Sequence, residues 1–200
     1  MTLSLLAIAT LSCGFLIGLI PTLIDGLQKP LDSQLALPAG RSAWFDRLFF
    51  IAWIPLMPLA GWLFDGFPNK EILFFALIAL IAGTAWLAML RSPSHLLLNG
   101  VLLGAAYAFL TTASVRLMTT AFFTPEDLRD YRLNLASLNF GFVAVGLGAM
   151  VGPWIAHAVD RMWGLRQGLL YFSILLIAPA ALLALSDRTR FPQPAENLAE

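Results

Sequence analysis

The side chains able to do chemistry are few and widely scattered in this 200-residue chain. The two histidines, His95 and His157, and the one cysteine, Cys13, stand far apart. They do not form the closely spaced ligand set that a metal ion requires, and a single cysteine excludes an internal disulfide. No nucleophile lies beside a base and no glycine-rich phosphate loop is present, so catalysis is not expected and no cofactor is implied. What remains is charge set within or beside apolar sequence: Asp25, Asp65, Lys70, Arg116 and His157. A charge held deep in hydrocarbon costs about 2.5–3.5 kcal/mol, so each must find a boundary, a partner or a role.

The elements that position these charges follow from composition. The chain is 59% apolar and 12% charged, with a net charge of zero and a mean hydropathy of +0.80. A soluble domain carries about 25% charged residues, so the solvent for most of this surface must be lipid. With no basic tract, nothing points to nucleic acid. Apolar runs cover residues 3–27, 45–64, 72–90, 96–123, 135–159 and 168–185. Each is about long enough to cross a ~30 Å hydrocarbon core as a helix. The reading is an all-α membrane protein: a six-helix transmembrane bundle over residues 1–187 and a polar C-terminal tail over 188–200. The first run lacks a basic leader and exceeds the roughly 7–15 apolar residues of a signal peptide, so it is expected to stay in the membrane.

Residues 61–73 form a short charged hinge between the second and third runs, placing Asp65, Lys70 and Glu71 at the water–lipid boundary. Residues 29–44 are the longest polar connector, where Pro30, Pro38 and Gly40 are expected to break helix. Pro55 and Pro58 should bend the second span. Gly14 and Gly18 make a small-residue step in the first, read as packing within the bundle rather than as a dimerisation face. The fourth run is the most polar. Its Asn99, Tyr107 and Thr111, with Thr22 and Asp25 of the first, are the expected lining of a cavity. Arg116 lies within snorkelling reach of the membrane surface. It either pairs with Asp65, or with an acid among Glu126, Asp127 and Asp130, or snorkels alone. His157 is either a proton-handling imidazole or a boundary residue bonded to backbone or water. Six spans suggest two sets of three, although no internal repeat is legible. Basic residues divide six against six between the two sides, so charge asymmetry gives no orientation.

The hinge resembles a known motif. Gly61-Trp62-Leu63-Phe64-Asp65-Gly66-Phe67-Pro68-Asn69-Lys70 is similar to G-x-L-x-D-R-x-G-x-(R/K), the loop between the second and third helices of the major facilitator superfamily. Gly61, Leu63, Asp65 and Lys70 match; Gly66 replaces the usual Arg and Pro68 the usual Gly. Gly148-Ala149-Met150-Val151-Gly152-Pro153 resembles the fifth-helix G-x-x-x-G-P pattern of the same superfamily. Gly164-Leu165-Arg166 stands where Gly-Trp-Arg is common, while Ala156 and His157 replace usual glycines. The resemblance implies a 3+3 half bundle corresponding to the N-terminal six helices, in the cytoplasmic (inner) membrane with both termini cytoplasmic. It implies conformational roles for Gly61, Asp65, Lys70, Gly148, Gly152 and Pro153, and transport of a small solute. Neither Asn99 nor Gly100 supplies the fourth-helix Arg of many proton-coupled members. Half a transporter encloses no path, so the partners implied are the lipid bilayer and a second six-helix bundle. That bundle would be a copy of this chain, a separate half or a further part of a longer chain. The alternative is a non-transporting scaffold or accessory subunit of a larger membrane complex.

Overall fold

The computed structural model describes residues 5–38, 40–122, 131–187 and 191. Among them the chain is helical throughout, with no strand. The helices are α1 (Leu5–Gly26), α2 (Gln28–Gln34), α3 (Ala43–Gly66), α4 (Asn69–Met89), α5 (Pro93–Thr120), α6 (Tyr131–Ala158), α7 (Leu165–Leu175) and α8 (Ile177–Leu185). A π-helical turn, Val159–Trp163, continues α6. Six stretches are long and apolar enough to span a membrane: α1, α3, α4, α5, Leu135–Trp163 and Leu165–Leu185. The chain is an integral membrane protein, with six spans among the described residues.

Several boundaries differ from the sequence reading, each for a physical reason. The connector over residues 29–44 contains α2, because Pro30 falls in that helix's first turn, where its missing N–H costs nothing. The hinge is helical up to Gly66 and again from Asn69, leaving only Phe67 and Pro68 outside. Asp65 therefore sits in the last turn of α3, and Lys70 and Glu71 in the first turn of α4. Glu71 at that N-terminus complements the helix dipole. The expected loop after the fifth span shrinks to Gly164, whose positive φ of 73° reverses the chain. The sixth span breaks at Leu176, where Pro179 removes the N–H that the Leu175 carbonyl would accept.

The spans pair tightly and with a pattern. α1 packs along α6 and α3 along α5; α5 and α1 pack together, as do α4 and the α7–α8 span. α4 also packs on α5, and α8 on α1. Exchanging the first three spans with the last three maps each of these contacts onto another or onto itself. Three spans is an odd number, so the second set runs through the membrane in the opposite sense. The match is not complete, since α5 also packs on α6 whereas α1 lacks comparable packing on α3.

Small residues permit both long contacts. On α1 and α6, a Cβ at Gly18 would meet the Ala149 nitrogen at 2.6 Å, and one at Gly148 would meet the Leu19 nitrogen at 2.9 Å. The Gly14–Gly18 step thus packs inside the bundle. On α3 and α5, a Cβ at Gly100 would meet the Phe45 carbonyl at 2.8 Å, and Gly104 lies against Phe49 and Ala52. Such backbone approach substitutes for the hydrophobic driving force that lipid does not provide.

Outside the spans, Asp32 ties the α2–α3 connector together. Its carboxylate accepts the Gly40 and Ser42 N–H groups, each at 2.8 Å, and the Ser42 hydroxyl donates to the Gln28 carbonyl. Desolvation is the largest single influence and pushes the Asp32 pKa up, but the Ser42 and Gly40 N–H groups, with the nearby Ser42 hydroxyl, together outweigh it. The net effect holds the carboxyl below its ordinary value.

Candidate functional site

The polar groups of the spans gather at two levels. The first lies at the end of the bundle where α1 begins. Gly61 and Asp65 are four residues apart in α3 and so share one face. Facing them, Arg116 of α5 places Nη2 2.5 Å from Asp65 Oδ1 and 3.4 Å from the Gly61 carbonyl oxygen. Its guanidinium lies 6.0 Å from the centre of the Phe64 ring. The pair is 34% exposed at Arg116 and 48% at Asp65, so it is neither buried nor fully solvated. Of the partners open to Arg116, the structure assigns Asp65; Glu126, Asp127 and Asp130 lie outside the described residues.

Beside this pair, Lys70 reaches from α4 to the end of α8. Its Nζ donates to the carbonyls of Ala184 at 2.8 Å and Ser186 at 2.7 Å, and it lies 5.9 Å from the Phe191 ring centre. These carbonyls end a helix and lack intrahelical partners, so a cation there satisfies them and complements the dipole. Two ties, α3 to α5 and α4 to α8, therefore close the same end of the bundle.

The second level is inside. Tyr107 is 2% exposed, and its hydroxyl donates to the Ile17 carbonyl at 2.5 Å. In an unbroken α1 that carbonyl would accept the N–H of residue 21, but residue 21 is proline and has none. Tyr107 supplies the missing donor. Its ring packs between Phe49 and Trp53, with centroids 5.2 and 5.0 Å away. The Trp53 indole N–H donates to the Thr111 hydroxyl at 3.3 Å, and Thr111 donates back to its own helix at Tyr107 and Ala108. Asn99, fully buried, donates to the Gly83 carbonyl of α4 at 2.8 Å, while its side-chain oxygen lacks a partner.

The residues expected to line one cavity thus occupy different settings. Tyr107 and Thr111 meet through Trp53 in the bundle core, and Asn99 bridges α5 to α4. Thr22 bonds back to Gly18 and Leu19 and packs against Gly152. Asp25 is exposed near the far end of α1 and accepts from Gln28. Gly148 and Gly152 seat α6 on α1, whereas Pro153 and His157 are exposed. Among the described residues no group of histidine, cysteine and acidic side chains could hold a metal.

Sequence reasoning missed Trp53, the Gly100–Gly104 step and the carbonyl partners of Lys70. The glycine step was legible as a third G-x-x-x-G; the other two depend on helix register and carry no local signal. Compared with known proteins, no protein-family model matches this chain, and no curated protein is found to be similar to it.

Proposed function

We propose that this chain is one half of a secondary transporter for a small solute, resembling the N-terminal half of a major facilitator and completed by a second six-helix bundle. The observation that carries the reading is the pairing symmetry between the first three spans and the last three. Inverted three-span repeats of this kind build each half of such transporters. Two features support it. Gly61 and Asp65 of the resembling hinge converge on one arginine. The spans least covered by the rest of the bundle are α3 and Leu135–Trp163, 22% and 28% buried against 44–61% for the others. They are symmetry mates, and their open faces are where a second bundle would close a path. In this reading the membrane is the cytoplasmic one, and both termini face the cytoplasm.

A second reading is favoured by a specific observation. Asn99, Tyr107 and Thr111 direct their hydrogen bonds into the bundle rather than to an open face. That suits a scaffold or accessory subunit that transports nothing. The discriminating experiment is the mass and composition of the native assembly in mild detergent. A homodimer, or a pair with another six-helix chain, together with solute uptake that Asp65→Asn reduces, supports the transporter. A stoichiometric complex with unrelated subunits and no uptake overturns it in favour of the scaffold.

A further inference from the structure

The end of the bundle away from the start of α1 carries a hollow of about 350 Å³ that the transport reading does not use. Gln34 and Ala36 at the end of α2, Met89 and Leu90 at the end of α4, Arg91 just beyond it and Arg166 in the first turn of α7 all line it. Two arginines from separate elements therefore line one small space, and both are exposed. Neither has an ion-pair or hydrogen-bond partner among the described residues. Solvent screens the repulsion between two exposed like charges, and an anion placed between them would turn it into attraction.

The surroundings indicate which anion. Arg91 directly follows one span and Arg166 opens another, so both stand at the depth of lipid headgroups. Leu90 is buried, forming an apolar side to the hollow, while Met89, the last residue of the α4 span, is 57% exposed. The N-terminus of α7 adds partial positive charge beside Arg166. Planar guanidinium forks match the oxygens of a phosphate, and basic recesses between spanning helices are a known form of headgroup recognition.

We propose that Arg91 and Arg166 form a binding site for a phosphate group, either the phosphodiester of an anionic phospholipid or inorganic phosphate. The site is independent of whether the chain transports anything. The test uses the full chain in mild detergent, with phosphatidylglycerol and sodium phosphate titrated separately. Binding is read by intact-complex mass spectrometry and by the thermal unfolding midpoint.

Wild type is expected to retain phosphatidylglycerol, with a rising midpoint. The Arg91→Gln/Arg166→Gln pair is expected to lose at least tenfold in affinity, while Arg41→Gln, on a separate hollow, is not. Phosphatidylglycerol binding without phosphate binding assigns a lipid site. Phosphate binding that is lost in the same variants assigns a free-anion site. Equal retention by wild type and the double variant overturns the proposal, as does failure of wild type to bind either probe. Should the double variant lose its helical circular dichroism, the single variants decide: each must weaken binding relative to Arg41→Gln.

Discussion

Removing the Tyr107 hydroxyl should expose the defect that Pro21 leaves in α1. Tyr107→Phe keeps the ring between Phe49 and Trp53 and deletes only the donor to Ile17. The Ile17 carbonyl then has neither the residue 21 N–H nor a side-chain partner, and it lies against a Tyr107 ring that is only 2% exposed. An unsatisfied buried acceptor costs about 1–3 kcal/mol, whereas side-chain hydrogen bonds between membrane helices average about 0.6 kcal/mol. The difference comes from the proline, which makes the fallback unavailable. We therefore expect Tyr107→Phe to destabilise by about 1.5–2.5 kcal/mol, the middle of the range for an unsatisfied buried acceptor.

The same argument fixes a second variant. Pro21→Ala restores an N–H that can bond Ile17 in the ordinary helical way. In that background Tyr107→Phe should cost about 0.5 kcal/mol, so the cycle yields a coupling of about 1–2 kcal/mol. The assay is equilibrium unfolding in mixed micelles of mild detergent and dodecyl sulfate, followed by far-ultraviolet circular dichroism for all four proteins. Additive behaviour within about 0.3–0.5 kcal/mol would refute the reasoning, because residues with a shared acceptor must couple.

Other expectations follow from the same geometry. Gly148→Ala places a methyl against the backbone of α1 and should cost about 1–3 kcal/mol in the same unfolding assay. Gly146→Ala, whose Cβ would meet nothing within 4 Å, should be neutral or slightly stabilising, and equal effects would sink the packing argument. A double-mutant cycle on Asp65→Asn and Arg116→Gln should give only about 0.2–1 kcal/mol, falling with added salt, because both groups are partly exposed. Lys70→Met should loosen the end of α8, seen as faster amide exchange around residues 184–186, with a cost of about 1 kcal/mol. The folded Asp32 pKa is depressed, so its stabilisation is complete above the ordinary carboxylate value of about 3.9 and is lost as pH falls through the folded value. Exchange protection at the Gly40 and Ser42 amides should therefore drop on acidification below about pH 4 in wild type, and Asp32→Asn should show no such step.

The six spans were legible because lipid imposes one rule on every residue of a long apolar run, and no tertiary contact can override it. Helix ends were less legible for the same reason. Counting apolar residues stops a helix at its first charge, yet Asp65, Lys70 and Glu71 continue α3 and α4 by finding partners or dipoles at the surface. The Asp65–Arg116 pair could be anticipated because both residues lie near the same membrane face, at the ends of the second and fourth runs. The polar residues of α5 could not be sorted by sequence into cavity and core. That sorting depends on the register of α5 against α1 and α3, and only that register brings Tyr107 to the one α1 carbonyl that a proline leaves open.

The two ends of this bundle solve the problem of charge differently. At the end where α1 begins, Asp65 holds Arg116 and the terminal carbonyls of α8 hold Lys70, so these two cations are satisfied by the chain itself. Each tie joins one of the first three spans to one of the last three, and thus laces the two inverted sets together across their interface. At the other end Arg91 and Arg166 belong likewise to the first and last three spans, but they face a hollow without an acidic partner. An internal carboxylate would have served there as it does at Asp65. An anion drawn from the surroundings would bridge the same two sets only when bound. One end is then tied by groups of the chain itself, and the other is tied by whatever phosphate the membrane or solution provides, so stability at that end becomes a function of its composition.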